Sequence, residues 1–238
     1  MIANTVVESC ESTNDLVRML GEAGYPHGTW VSAREQTRGR GRLGRTWQST
    51  HGNLFLSLLA RVQPRDLWTW IPLAAAAAIA QEFSGEAVVT IKWPNDLWLG
   101  RAKLGGILCE AVGSRIDSFV IIGVGLNCAV APEGLDQPTA RLNQPVDEVR
   151  ARVLRAILAG MDELSSRGTT PLREHYGRLA ALKPGTRIEW GTEGEGDVVG
   201  LGDSGELIVT DGPGRTKRLF AEDVKIRLSR KEDGESPA

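Results

Sequence analysis

The sequence predicts an α+β fold, with helices on one face of a largely antiparallel sheet and a small all-β unit after it. Three observations carry that expectation. Apolar runs of strand length cluster between Val88 and Val124 with short turns between them, and parallel pairing would need long crossovers. Two longer segments, Asp66 to Phe83 and Val146 to Ser165, have the length and composition of helices. After Lys183-Pro184-Gly185 the pattern changes to short alternating runs broken by Gly and Asp.

The elements follow in order. Thr5 to Glu8 reads as a short strand. Ser12, with Asp15 three residues on, opens a helix that ends near Gly21 or Gly24. Trp30 to Glu35 and Leu54 to Ala60 read as strands around an Arg/Gly loop. Asp66 to Phe83 is the first long helix, its Ala74 to Ala78 run suited to close packing. Val88 to Lys92, Asp96 to Leu99, Leu104 to Val112 and Ser118 to Val124 are strands. Helices at Val146 to Ser165 and Pro171 to Ala181 complete the first unit. Five further runs, beginning at Thr186, Asp197, Glu206, Lys217 and Val224, fall within about 45 residues and suggest a small barrel of SH3-like size. The expected division is 1–183, 184–228 and a polar, disordered tail over 229–238.

The chain has 238 residues and a formal net charge of −2, which argues against a general nucleic-acid binder. Its three cysteines, Cys10, Cys109 and Cys128, lack zinc-ligand spacing and read as reduced packing residues of a cytoplasmic protein. No leader pattern opens the chain, and the apolar stretch Leu67 to Ala80 falls short of the ~20 residues that span a bilayer. No membrane association is expected.

Two segments carry the chemistry. Five arginines between Arg34 and Arg45 alternate with Gly39, Gly41 and Gly44. Guanidinium forks suit phosphate oxygens, and the glycines let backbone close over a ligand. The GxGxxG spacing here is not a dinucleotide fingerprint, because no helix starts directly after it. A surface RNA-binding loop is the competing reading, weakened by the absence of a basic face or stacking platform. The second segment runs from Lys92-Trp93-Pro94-Asn95-Asp96 to Lys103-Leu104-Gly105-Gly106-Ile107-Leu108. Lysines flanked by apolar runs usually have an anion to meet, although solvated strand ends are the common fate of lysine. Asn95 and Asp96 after a proline also suit an Asx turn. Gly123 and Gly125 offer backbone against which a flat ligand could lie, or mark strand bulges.

Ser12-Thr13-Asn14, Glu35-Gln36-Thr37, the GRGRLGRTW loop, Gly52-Asn53-Leu54, the KWPND segment, Lys103 to Leu108 and Gly123 to Asn127 occur in the order and approximate spacing of biotin protein ligases. The chain resembles that family from Thr5 to Cys128, and a small C-terminal barrel belongs to the same pattern. The resemblance implies a catalytic domain like that of class II aminoacyl-tRNA synthetases. It implies that biotin and Mg-ATP give biotinyl-5′-AMP, which an acceptor lysine of a biotin carboxyl carrier protein then attacks. Ser12, Thr13, Asn14 and Gln36 would bind the biotin head group, with Gly39 and Gly106 beside it. Arg40, Gly41, Arg42 and Arg45 would take the phosphates, Trp47 would close the loop, and Lys92, Asn95, Gly125 and Asn127 would face the nucleotide. Lys103 would bridge the biotin carboxylate and the α-phosphate. Lys103, Arg40 and Asp96 form the implied catalytic set, with Asp96 orienting or deprotonating the acceptor lysine. The cofactors implied are ATP, Mg2+ and biotin as substrate, with no protein metal-ligand set.

Only 11 residues precede Ser12, too few for the winged helix-turn-helix of ligases that also repress transcription, so a ligase without DNA binding is expected, as monomer or weak homodimer. The alternatives are a lipoate-attaching enzyme of the same fold, a non-catalytic biotin binder and the RNA-binding module.

Overall fold

Strands β1 (Thr5–Cys10) and β2 (Trp30–Gln36) pair in parallel, because helix α1 (Thr13–Glu22) between them carries the chain back along the sheet. The computed structural model describes residues 3–113, 118–191, 194–211, 214–221 and 226–228. They divide into two compact units, residues 1–181 and 182–238.

In the first unit β2 pairs antiparallel with β3 (Leu54–Ala60), and β3 pairs with β7 (Ser118–Leu126). Beyond β7 come β6 (Ala102–Gly113), β5 (Asp96–Leu99) and β4 (Val89–Lys92), all antiparallel. The sheet is therefore mixed, seven strands in the order β1-β2-β3-β7-β6-β5-β4.

Helices cover both faces of its centre, not one face as the sequence suggested. Leu59, Phe119 and Ile121 form a cluster with Val17 and Leu20 of α1. Residues of the other parity, such as Leu56, Leu58, Ile122 and Val124, are equally buried. Side chains alternate across a strand, so those residues face the opposite layer, where α2 (Ile71–Glu82) and α3 (Val146–Arg167) meet β3 and β7. The uninterrupted apolar run of β3 is the signature of a strand covered twice.

The long helix expected over Asp66 to Phe83 is also two elements. A 3-10 segment spans Arg65–Trp70 and α2 starts at Ile71. Pro72 has no N–H to donate one turn back, so an α-helix cannot run through it unbroken, whereas the first turn tolerates it. Ala74 to Ala77 are buried, and α3 approaches closely enough that a Cβ built on Gly160 would lie 3.0 Å from Ala78 Cβ. Helix α3 turns Val149, Val153, Ile157, Met161 and Leu164 inward as one stripe. Helix α4 (Thr170–Leu179) follows, and Ala181 N–H bonds Ile91 O on β4.

The second unit is a five-stranded antiparallel sheet, ordered β11-β10-β9-β8-β12. Its strands are β8 (Arg187–Trp190), β9 (Gly194–Leu201), β10 (Leu207–Thr210), β11 (Thr216–Leu219) and β12 (Ile226–Leu228). Ile188, Trp190, Val198, Val209 and Leu219 are buried there. Strand β9 starts three residues earlier than expected, where Gly194 packs under the Trp190 indole. Val224, Lys225 and the tail 229–238 lie outside the described residues.

Candidate active site

At the start of α1, Ser12, Thr13 and Asn14 are all buried. Ser12 occupies the N-cap position, but its side chain makes no capping bond. Thr13 donates from its backbone N–H (2.9 Å) and its hydroxyl (3.1 Å) to Gln36 Oε1 at the end of β2. Gln36 Nε2 donates to Ser49 Oγ at 3.4 Å. Ser57, the only polar residue of β3, places Oγ 2.7 Å from Thr13 Oγ1 and 2.5 Å from Asn14 Oδ1. Asn14 Nδ2 donates to Glu110 Oε2 on β6 at 2.7 Å, and Gly123 leaves the room that Asn14 fills. The result is a lattice of paired donors and acceptors inside an apolar core, suited to a polar ring system.

The Arg/Gly loop is a small hairpin. Trp47 N–H bonds Gly39 O (2.9 Å), Gly41 N–H bonds Arg45 O (2.7 Å), and Arg40 pairs antiparallel with Thr46. Its tip turns through Leu43 (φ 56°) and Gly44 (φ 69°), both left-handed. The arginines then diverge. Arg40 sets Nη1 and Nη2 on the two Asp15 oxygens at 2.8 and 2.6 Å, with Glu110 Oε2 at 3.7 Å. Those bonds hold the Asp15 carboxyl below the usual carboxylate range and raise the Arg40 guanidinium. Arg38 pairs with Glu11 at 3.2 Å. Arg42 Nη1 donates to Asn95 Oδ1 at 3.3 Å, and Arg45 is exposed.

The KWPND turn connects β4 to β5, and β5 sets Asp96 opposite Gly106 of β6. Lys103 Nζ reaches Asp96 Oδ1 at 2.7 Å, with both side chains less than a fifth exposed. The same ammonium lies 5.5 Å from the Trp47 ring centroid. Trp47 stacks on Gly125, where a Cβ would come within 2.6 Å of its Cζ2, and its indole N–H is buried without a hydrogen-bond partner. Gly106 borders the same space, an added Cβ meeting Asp96 Oδ1 at 3.4 Å and Trp47 at 3.5 Å. Lys103, Asp96, Trp47, Gly106 and Gly125 thus come together. Lys92 turns to the Trp98 ring, 4.9 Å from its centroid.

Asn127 faces backbone: Nδ2 donates to Ala140 O (2.9 Å) and Lys103 O (3.4 Å). Beside it, buried Asn53 accepts at Oδ1 from the N–H groups of Cys128, Ala129 and Val130, at 3.0, 3.2 and 3.1 Å. Asn53, Ser57 and Glu110 had no assigned role from sequence, and Asp15 had one only in opening the helix, none in the site. A polar residue inside an apolar strand run was the available signal for Ser57 and Glu110.

The profile described as the Biotin/lipoate A/B protein ligase family matches residues 6–127. The biotin–[acetyl-CoA-carboxylase] ligase of Mycobacterium tuberculosis is 34% identical over 92% of this chain and 87% of its own length. The bifunctional ligase/repressor BirA of Bacillus subtilis is 32% identical over 90% of this chain and 71% of its own. Among solved structures, the biotin protein ligase of Aquifex aeolicus in complex with biotin and ATP superposes with a TM-score of 0.79 and 25% identity, covering 94% of this chain and 98% of that one.

Proposed function

This chain belongs to the biotin/lipoate A/B protein ligase family, and on that premise we propose that it joins biotin to a lysine of a carboxylase carrier domain through biotinyl-5′-AMP. The observation that carries the reading is the meeting of a largely buried polar lattice (Thr13, Asn14, Gln36, Ser57) and a cationic corner (Lys103 with Asp96 and Trp47) along strands β3, β7 and β6. The first suits the ureido ring of biotin, the second the charged end of an acyl phosphate.

In the first step a biotin carboxylate oxygen attacks the α-phosphorus of ATP, the bond to the bridging oxygen breaks, and pyrophosphate leaves with the electron pair. Lys103 presents a fixed positive charge to the oxygens of that phosphorus, where negative charge builds. Arg42 and Arg45 serve the phosphates, and Trp47 on Gly125 excludes water. In the second step the neutral amine of the acceptor lysine attacks the acyl carbon, the acyl–oxygen bond breaks and AMP departs. Asp96 orients the amine and takes its proton on the oxygen that Lys103 leaves open. Mg2+, carried in by the triphosphate, would neutralise the leaving pyrophosphate.

The proposal includes a class II synthetase-like catalytic domain over 1–183 and an SH3-like second domain over 184–228, the latter supported by five short antiparallel strands. It also includes action in the cytoplasm. Among the described residues no helix is long and apolar enough to cross a membrane.

The test is pyrophosphate release from Mg-ATP without carrier, in the presence of biotin or of lipoate. A single-turnover burst with biotin alone is expected. A burst with lipoate alone would change the substrate, and none with either would overturn the reading in favour of RNA binding by the arginine loop.

A further inference from the structure

Four arginines of the loop, Arg38, Arg40, Arg42 and Arg45, have the same charge and reach, and Arg40 sets its fork bidentately on a carboxylate of α1, while Arg38 meets Glu11 and Arg42 reaches Asn95. A planar guanidinium facing both oxygens of Asp15 at 2.8 and 2.6 Å has its best-aligned donors committed. We propose that Arg40 is a positioning residue rather than a phosphate ligand. Asp15 and Glu110 are its socket, and together they staple the hairpin onto the helix that carries Ser12, Thr13 and Asn14. The proposal rests on reading the loop as the clamp over the adenylate.

The geometry gives the staple a purpose. Asp15 follows Asn14 directly, and Glu110 Oε2 accepts from Asn14 Nδ2 at 2.7 Å while standing 3.7 Å from Arg40 and 3.8 Å from Arg18. Asn14 in turn meets Ser57, which meets Thr13, which meets Gln36. An unbroken chain of polar contacts therefore runs from the biotin lattice to the root of the loop. Gly39, adjacent to Arg40, lies against Ser49 and Gln36, with room for no Cβ. Holding Arg40 thus holds the Gly39 backbone against the pocket floor and leaves Arg42 and Arg45, farther along the hairpin, for the phosphates.

The test is a cycle of Asp15→Asn, Arg40→Ala and the double variant, read in two ways. The first readout needs no ligand. Trypsin cuts an open loop at Arg38, Arg42 or Arg45, and cleavage of the native protein tracks the opening equilibrium when closing is fast. Each single variant is expected to be nicked about fivefold faster than the parent, the size of effect for a bidentate pair at this exposure, and the double variant no faster than Arg40→Ala. The second readout is release of biotinyl-5′-AMP, expected to quicken by a similar factor with the same non-additivity. Nicking of Asp15→Asn at the parent rate, or effects on adenylate release that multiply, would overturn the staple and return Arg40 to the phosphates. A parent that forms no adenylate would overturn the ligase reading and the clamp role with it, while the tryptic cycle would still report on the Asp15–Arg40 grip. Far-UV circular dichroism verifies that each variant is folded.

Discussion

Gly125→Ala puts the closure of the loop to a direct test. Gly125 lies mid-sheet on β7, bonded between Phe55 of β3 and Gly106 of β6, so its backbone cannot retreat. The new methyl would stand 2.6 Å from Trp47 Cζ2 and 2.7 Å from Nε1, where carbon contacts prefer about 3.5–4.0 Å. The indole must therefore move by roughly 1 Å, and it can, because Trp47 sits on a hairpin rather than in the sheet. Moving it weakens the cation–π contact with Lys103, worth about 0.5–1 kcal/mol. It also returns part of one indole face to water, worth about 1–1.5 kcal/mol. The sum, about 2 kcal/mol, corresponds to roughly 30-fold faster loss of biotinyl-5′-AMP. The assay is dissociation of adenylate formed in place, followed by its capture in excess unlabelled biotin and ATP. Gly106→Ala is the control: its methyl meets its neighbours at 3.4–3.7 Å, ordinary contact, and retention should stay within about threefold of the parent. If Gly125→Ala holds its adenylate as long as Gly106→Ala does, Trp47 is not the lid.

Lys103→Ala should abolish pyrophosphate release, by at least about 10²-fold, with the circular dichroism spectrum unchanged. Parent-like release would remove Lys103 from the chemistry. Asn53→Ala strips the acceptor from three backbone N–H groups in the turn after β7, so a loss of about 2–4 kcal/mol in urea denaturation is expected. A change below 1 kcal/mol would show that water replaces the side chain. Burial pushes the Cys10 thiol up to about 11 and Cys128 up to about 12, from 9.0. A pKa raised in the folded state means that the unfolded chain loses its thiol protons first. Stability from these groups is therefore whole below pH 9 and falls as pH rises from 9 toward 11–12. Denaturation midpoints between pH 8 and 11 check this, and a Cys10→Ser, Cys128→Ser double variant should show a shallower decline.

Much of this molecule was legible in the chain. Apolar runs marked the strands, Lys183-Pro184-Gly185 marked the change to a second strand-rich region, and the paired GRGRLGRTW and KWPND segments pointed to the family, because ligand chemistry restricts residue type at fixed spacing. Two features went unread although the chain carried a signal for each: the 3-10 break before α2, in Pro72, and the double coverage of β3, in its unbroken apolar run. What only the tertiary structure decided is which like residues do unlike work. Arg40 and Arg42 are two positions apart with the same side chain, yet one grips Asp15 and the other reaches Asn95. Lys92 and Lys103 both flank apolar strands, yet one covers Trp98 and the other meets Asp96 and Trp47. Composition specifies the charge and the reach of a side chain. Its partner depends on which strands the sheet order brings alongside, and contacts such as Asn14 with Glu110 join residues 96 positions apart, a separation at which local sequence carries no information about direction.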